Sequence, residues 1–249
     1  MVKPKLHFQR FEFKYYLPKN TADKLIPTLL NYMNWDSYIQ NTGRDYYEVN
    51  SLYFDTYNFD CFWDKEAGVS NRKKLRFRFY GHDLLPETPV FLEIKQKNNV
   101  LVTKDRVKLK MSDCVNENLD SALMSNYGNN NDKFLDSLFL FKNTNFLKPK
   151  LYISYKRKAL VGKHDDRFRV TFDYDIKTKL SSDIKDGTSS LKDVYFDGVV
   201  LELKYNNILP SWFHGIIQSY QLDRIAYSKY CNSLRMCLPN LDDNNYSLR

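Results

Sequence analysis

Eight separate runs of the chain have strand character, and in most of them apolar and polar residues alternate with a period of two. The clearest is KKLRFRFYG (73–81), where Lys74, Arg76 and Arg78 fall on one parity and Leu75, Phe77 and Phe79 on the other. Successive side chains of a strand point to opposite faces, so this run predicts a strand with one cationic and one apolar face. QRFEFKYYL (9–17), YEVNSLYFD (47–55), PVFLEIKQK (89–97), LVTKDRVKLK (101–110), LYISYKRKAL (151–160), RFRVTFDYD (167–175) and VVLELKYN (199–206) predict seven more strands. Turn residues in HDLLPETP (82–89) and KNN (97–99) predict a three-strand meander over 73–110.

Helical spacing fills the gaps. TADKLIPTLLNYM predicts a helix capped by Asn20 or Thr21, with Pro27 disturbing its middle. NENLDSALMSN and DKFLDSLFLF predict two helices around a surface loop, YGNNN (127–131). SWFHGIIQSYQL, capped by Ser211 after Pro210, and SKYCNSLRMCL predict two more, the second a C-terminal helix. A polar tail from about residue 239 is expected to fray. Strands with interspersed helices predict an α+β fold, and the length predicts one domain over residues 1–249.

The polar parities of these strands are mostly cationic. They carry Arg10, Glu12 and Lys14; Lys74, Arg76 and Arg78; Glu93, Lys95 and Lys97; Lys104, Arg106, Lys108 and Lys110; Arg157 beside Tyr155; Arg167, Arg169, Asp173 and Asp175; Glu202 and Lys204. One such face reads most simply as a solvated outer surface. Repeated strand after strand it does not, because like charges directly opposite each other destabilise a strand pair. Either a shared anion offsets the repulsion or the strands are splayed. The apolar parities (Phe11, Phe13, Phe77, Phe79, Leu92, Ile94, Val170, Phe172) need helices over them. A sheet closed on itself, charged face inward and helices outside, satisfies both requirements.

Composition narrows the ligand. A net charge of +8 favours an anionic partner. With only 8 glycines, no GxxxxGK[ST] loop and no GxGxxG after a strand, a backbone phosphate cradle is not expected, so side chains would hold any phosphate. His7, His82, His164 and His214 form no HExxH motif or catalytic dyad, and Cys61, Cys114, Cys231 and Cys237 form no CxxC pair. No apolar stretch reads as a secretory signal or membrane helix, so a cytoplasmic protein with reduced thiols is expected.

RFEFKYY (10–16), SLYFDT (51–56), KLRFRFYG (74–81), FLEIKQK (91–97), TKDRV (103–107), SYKRKAL (154–160), RFRVTFD (167–173), VLELKY (200–205) and YSKY (227–230) occur in an order and spacing that resemble the VTC domain of polyphosphate polymerases. That family lies within the triphosphate tunnel metalloenzyme (CYTH-like) superfamily, and the likeness runs from residue 8 to 238. It implies an eight-stranded antiparallel β-barrel tunnel with helices outside. It also implies transfer of the γ-phosphate of ATP onto inorganic polyphosphate, with pyrophosphate or triphosphate as related ligands. Carried over residue by residue, the resemblance makes Arg76, Arg78, Arg157, Arg169 and Lys229 catalytic. Lys14, Lys95, Lys104, Arg106, Tyr155 and Lys204 become phosphate-binding, and Glu202 a ligand for Mn²⁺ or Mg²⁺. Glu12 and Glu93 are further metal-facing carboxylates, with pairing to a lumen arginine as the role open to each instead.

Two positions depart from the superfamily pattern. Hydrolytic members carry ExExK on the first strand, where this chain has Arg10, Glu12 and Lys14. Polymerases often have a basic residue three positions before the SKY lysine, where this chain has Ala226. Hydrolysis of triphosphate or a nucleoside triphosphate, and non-catalytic polyphosphate binding, stay open beside polymerisation. Nucleic acid is not expected as a partner, since a narrow lumen would exclude a duplex. No regulatory domain or membrane anchor is expected in this chain, and a membrane-subunit partner stays open.

Overall fold

The computed structural model describes residues 10–82, 84–99, 101–115, 119–127, 133–194, 198–206 and 208–241. Gln9, the loop expected over 128–131 and the tail beyond 241 lie outside them. In chain order the elements are β1 (Arg10–Leu17), α1 (Lys19–Leu30), β2 (Met33–Trp35), α2 (Ser37–Thr42), β3 (Tyr47–Asp55), α3 (Asp60–Glu66), β4 (Asn71–Tyr80), β5 (Pro89–Asn98), β6 (Leu101–Lys110), α4 (Met111–Val115), α5 (Leu119–Tyr127), α6 (Lys133–Thr144), β7 (Lys148–Gly162), β8 (Arg169–Leu180), β9 (Lys192–Asp193), β10 (Val199–Asn206), α7 (Ser211–Ser219) and α8 (Lys229–Cys237).

The fold is α+β with a large antiparallel sheet, and each of the eight expected strands is present. Hydrogen-bonded strands follow the order β1-β10-β8-β7-β3-β4-β5-β6, with β2 added on β7 and β9 on β8. The path is open: among the described residues no pairing joins β1 to β6, so the expected closed barrel is not part of this ladder. The chain divides into two compact units, each assembled from three stretches of sequence.

The first unit covers residues up to Tyr47, Lys156–Asp175 and Phe196–Tyr227. Its core lies under the apolar parity of β1, β8 and β10: Tyr15, Leu17, Val170, Phe172, Leu201 and Leu203. Ala22, Leu25, Ile26 and Leu29 of α1 recur at helical spacing and are buried against them, joined by Phe213 and Ile216 of α7. Pro27 falls on the exposed side of α1, away from the buried stripe of Ala22, Leu25, Ile26 and Leu29. The helix starts earlier than expected: Pro18, not Asn20 or Thr21, is the cap, and its carbonyl accepts from the amides of Thr21 and Ala22. Likewise Pro210, not Ser211, precedes α7. Proline's fixed φ sets the chain up for the first helical turn in both places.

The second unit covers Glu48–Tyr155, Ile176–Tyr195 and the residues from Ser228 onward. Here Leu52, Phe54, Leu75, Phe77, Phe79, Leu92, Ile94, Val107 and Leu109 form the buried apolar face of β3 to β6. Met111 of α4, Leu123 of α5, and Leu135 and Leu138 of α6 cover it. The opposite parity of these strands is therefore the polar one, as the alternation predicts.

Candidate functional site

Two groups of charged side chains stand on the polar parities, one in each unit. In the second unit, strand register sets Tyr53, Arg76, Glu93 and Arg106 side by side across β3, β4, β5 and β6. Arg76 donates through Nε and Nη2 to Glu93 Oε2, at 2.9 and 2.8 Å, and through Nη1 to the Tyr53 hydroxyl at 2.7 Å. Arg78, two residues along β4, lies with Nε 3.8 Å from the same Glu93 oxygen. It donates to Ser51 Oγ at 3.3 Å and to the Tyr155 hydroxyl at 3.4 Å. Lys104 Nζ sits 2.5 Å from the other Glu93 oxygen, and Lys229 Nζ lies 4.9 Å from the centre of the Tyr155 ring.

Glu93 is thus a buried carboxylate, 1 % exposed, among three cations. Burial alone would raise its pKa, but Arg76, Arg78 and Lys104 outweigh burial and hold it down to about 2. Burial also pushes the Tyr53 hydroxyl up, and Arg76 and Arg78 reverse that, bringing it to about 8. Lys104 is lowered to about 7, by loss of water first and by Arg78 and Arg76 second, against the pull of Glu93.

One row of this face carries a single sign: Lys74, Lys95 and Lys104 stand directly opposite one another on β4, β5 and β6. Lys74 turns toward α8, its Nζ 4.3 Å from the centre of the Tyr230 ring and 3.7 Å from Cys231 Sγ, where burial lowers its pKa. Arg106, although in register with Glu93, is exposed and lies over the Phe91 ring at 4.6 Å. Helix α8, which begins at Lys229, is fastened at its next residue. The Tyr230 hydroxyl donates to Asp55, which also accepts from the amides of Thr56 and Cys61 at 2.7 and 2.9 Å.

In the first unit the charges alternate in sign between β1 and β10. Glu12, Lys204 and Arg169 make one row across β1, β10 and β8, and Lys14, Glu202 and Thr171 the next. Lys204 Nζ lies 2.5 Å from Glu202, and Lys14 Nζ 3.6 Å from Glu12; Lys14 also donates to the Tyr227 carbonyl at 2.8 Å. Burial lowers the Lys204 pKa although Glu202 and Glu12 pull it up. Arg157 of β7 grips Asp173 of β8 through Nε and Nη2, at 2.6 and 2.9 Å, and its Nη2 is 3.9 Å from Glu202. Arg169 donates to Asp36 at 2.7 Å and to the Tyr47 hydroxyl at 3.4 Å. The Thr171 hydroxyl, across from Glu202, is buried with no hydrogen-bond partner among the described residues.

Most of the sequence-derived residues therefore fall into one cluster or the other. Arg76, Arg78, Glu93, Lys104, Tyr155 and Lys229 gather in the second unit, while Lys14, Glu12, Arg157, Arg169, Glu202 and Lys204 gather in the first. Lys95 joins by register, and Arg106 stands apart on Phe91. Arg167, read as part of the β8 cationic parity, instead precedes that strand in a turn, where it pairs with Asp165. Asp36, Tyr53 and Asp173 were missed. Asp173 carried a signal, since it shares the polar parity of β8 with Arg169; Asp36 and Tyr53 carried none that separates them from ordinary polar residues.

The carboxylates divide in what they offer a metal ion. Among the described residues no three histidine, cysteine or acidic side chains stand together as a metal cluster. Mg²⁺ and Mn²⁺ need only one or two carboxylates when phosphate oxygens complete the shell. In the first unit the carboxylates such a shell could draw on are Glu202, with the orphaned Thr171 hydroxyl across from it, and Glu12, each beside a lysine. Both Glu93 oxygens are engaged by Arg76 and Lys104 instead.

A model of the VTC domain family matches residues 9–238. Comparison with curated proteins finds no match. Among solved structures, the PH1819 protein from Pyrococcus Horikoshii OT3 is similar at 12 % identity, over 91 % of this chain and 98 % of that one, with a TM-score of 0.45. No helix among the described residues is long and apolar enough to cross a membrane.

Proposed function

The chain belongs to the VTC domain family, and from that premise we propose that it transfers the γ-phosphoryl group of ATP onto a growing chain of inorganic polyphosphate. The observation that carries the reading is the pair Arg76 and Arg78, on one face of one strand, with Glu93, Tyr53 and Tyr155 fixing their guanidinium groups. In the reaction a terminal oxygen of the polyphosphate attacks the γ-phosphorus, the bond from that phosphorus to the β-bridging oxygen breaks, and ADP leaves with the electron pair. The attacking oxygen is already anionic, so no side chain has to remove a proton. Positioning and charge neutralisation are then the whole of the protein's task.

Arg76 and Arg78 neutralise the oxygens of the transferring group, with a planar fork that lysine does not offer, and Arg157 and Arg169 offer the same fork to phosphate oxygens in the first unit. Lys14, Lys95, Lys104, Lys204, Lys229 and Arg106 act as positive charges along the phosphates, and the Tyr155 hydroxyl donates to them. Glu202 and Glu12 would hold Mn²⁺ or Mg²⁺, which when bound supplies charge neutralisation at phosphate oxygens. Glu93 acts as the fixed counter-ion of the Arg76 and Arg78 pair. The closed tunnel of the family is part of this proposal and rests on the resemblance alone.

Incubation with ATP, Mn²⁺ or Mg²⁺ and a short polyphosphate primer, followed by a gel that resolves polyphosphate lengths, tests the reading. A growing ladder is expected. Release of orthophosphate with no ladder would replace polymerisation by hydrolysis, and tight binding of polyphosphate with no turnover would leave a binding module.

A further inference from the structure

Asp173 lies on the polar parity of β8 with its side chain fully enclosed. Its two carboxylate oxygens take the Nε and Nη2 donors of Arg157, at 2.6 and 2.9 Å. This is the bidentate geometry in which a guanidinium has least freedom to turn. A guanidinium has two donor edges. When Nε and one Nη2 hydrogen are spent on one carboxylate, Nη1 and the other Nη2 hydrogen form a second edge that faces another direction in the guanidinium plane. The same Nη2 stands 3.9 Å from Glu202, so the edge turned away from Asp173 is set beside the carboxylate to which the proposed function gives the metal.

The position of Asp173 favours this use over a phosphate-binding or metal-binding one. Asp173 is fully enclosed and both its oxygens accept from Arg157, so its burial keeps it from direct contact with a solvent-borne ligand. Strand register places Val200, not a cation, directly opposite it on β10. Glu202, by contrast, divides its oxygens between Lys204 and Arg157, the second at 3.9 Å, and stands across from the buried Thr171 hydroxyl.

We propose that Asp173 is a positioning residue, resting on the polymerase reading above: it locks the Arg157 guanidinium so that one edge is presented to phosphate oxygens beside Glu202. Asp173 touches no substrate and acts only through Arg157. An arginine held in place before the reaction loses no freedom when charge develops, so its orientation acts on turnover more than on binding. Removal of the lock leaves the positive charge where it was and therefore leaves affinity for the polyanion intact or slightly improved.

The test is a double-mutant cycle on the full chain with Asp173→Asn, Arg157→Lys and the double variant. Turnover of ATP with polyphosphate is read together with binding of tripolyphosphate by calorimetry. Asp173→Asn is expected to lower kcat by about 10- to 100-fold, the scale on which partners behind a primary ligand act, with tripolyphosphate affinity unchanged or higher. Arg157→Lys keeps the charge but not the fork, so it is expected to lose a similar amount, and the double variant no more than either single one. If Asp173→Asn alone does not fold, comparing Arg157→Lys with the double variant reads the same prediction: equal turnover supports it. Losses that multiply in the double variant, an unchanged kcat in Asp173→Asn, or a loss confined to tripolyphosphate affinity would overturn it. A wild-type chain with no ATP turnover would remove the polymerase reading and this inference together, whereas an active wild type with a multiplicative cycle removes this inference alone.

Discussion

Arg76 and Glu93 face each other across β4 and β5, and one Glu93 oxygen accepts from two nitrogens of that guanidinium, at 2.9 and 2.8 Å. A cationic strand face is therefore built around an internal anion, which keeps Arg76 and Arg78 together in the absence of phosphate. Breaking a buried pair by removing one partner typically costs about 3–5 kcal/mol. Glu93→Gln is expected to lose stability on that scale, measured by urea unfolding at neutral pH, because two arginines are left with no counter-ion.

The same carboxylate predicts how stability depends on acid. Its pKa is depressed in the fold, to about 2, from an unfolded value of about 4.3. The unfolded chain thus binds the proton first as pH falls. The stabilisation is present above the unfolded value and is lost as pH drops from there through 2. Unfolding curves between pH 5 and 2, the window between those values, are expected to show a steeper loss for the wild type than for Glu93→Gln.

Anion binding should weaken as pH rises. Lys104, held at about 7, loses its positive charge first. Tyr53, brought to about 8 beside Arg76, then gains a negative one. Both changes disfavour phosphate, and a bound polyanion in turn favours the protonated form of each group. Calorimetry in buffers of different ionisation heat is expected to show falling tripolyphosphate affinity from about pH 7 to 9, with proton uptake on binding. Tyr53→Phe should remove the upper part of that fall and Lys104→Met the lower part.

Helix α8 carries Lys229 and is fastened by the bond from the Tyr230 hydroxyl to Asp55. Tyr230→Phe leaves a buried carboxylate short of one donor, a loss of about 1–3 kcal/mol. Faster hydrogen exchange in the α8 amides and reduced turnover are expected, with the β4 and β5 amides unchanged. Equal acceleration throughout the second unit would show that the bond holds more than this helix.

Much of this architecture was legible in the alternation of residue types. The run at 74–79 predicted β4, and the other seven strands appear within a few residues of their expected limits. Five short elements, β2, α2, α3, α4 and β9, were not expected. Helix α2 did carry local signals: Asp36 accepts from the Ile39 amide, and Gly43 ends the helix at a φ of 63°, where a residue without a Cβ is favoured. Helix α3 had no side-chain cap to read; Phe59 precedes it at a φ of 61°, and its Cys61 amide is taken by Asp55 from β3. The cations of the site were visible as a parity, but their partners were not. Arg76 meets Glu93, Arg157 meets Asp173 and Arg169 meets Asp36 only through strand pairing and chain crossings, which spacing along the sequence does not encode. The repulsion inferred from the cationic parities is accordingly offset in part from within, by carboxylates the sequence placed far away.

Replacing both clamp arginines should separate folding from chemistry. Loss of a single donor aimed at transition-state charge commonly costs about 10²–10³ in kcat, so Arg76→Ala with Arg78→Ala is expected to fall to background turnover. The double variant should still unfold cooperatively, with its circular dichroism unchanged. Full activity in it would remove these residues from the site.

The central claim is tested most directly by phosphorus NMR of the purified wild-type chain with ATP, Mg²⁺ and a short polyphosphate primer. The account predicts that ADP and the resonance of internal polyphosphate units grow together as ATP is consumed. ADP and orthophosphate growing with no increase in internal polyphosphate units, or no consumption of ATP, would contradict it.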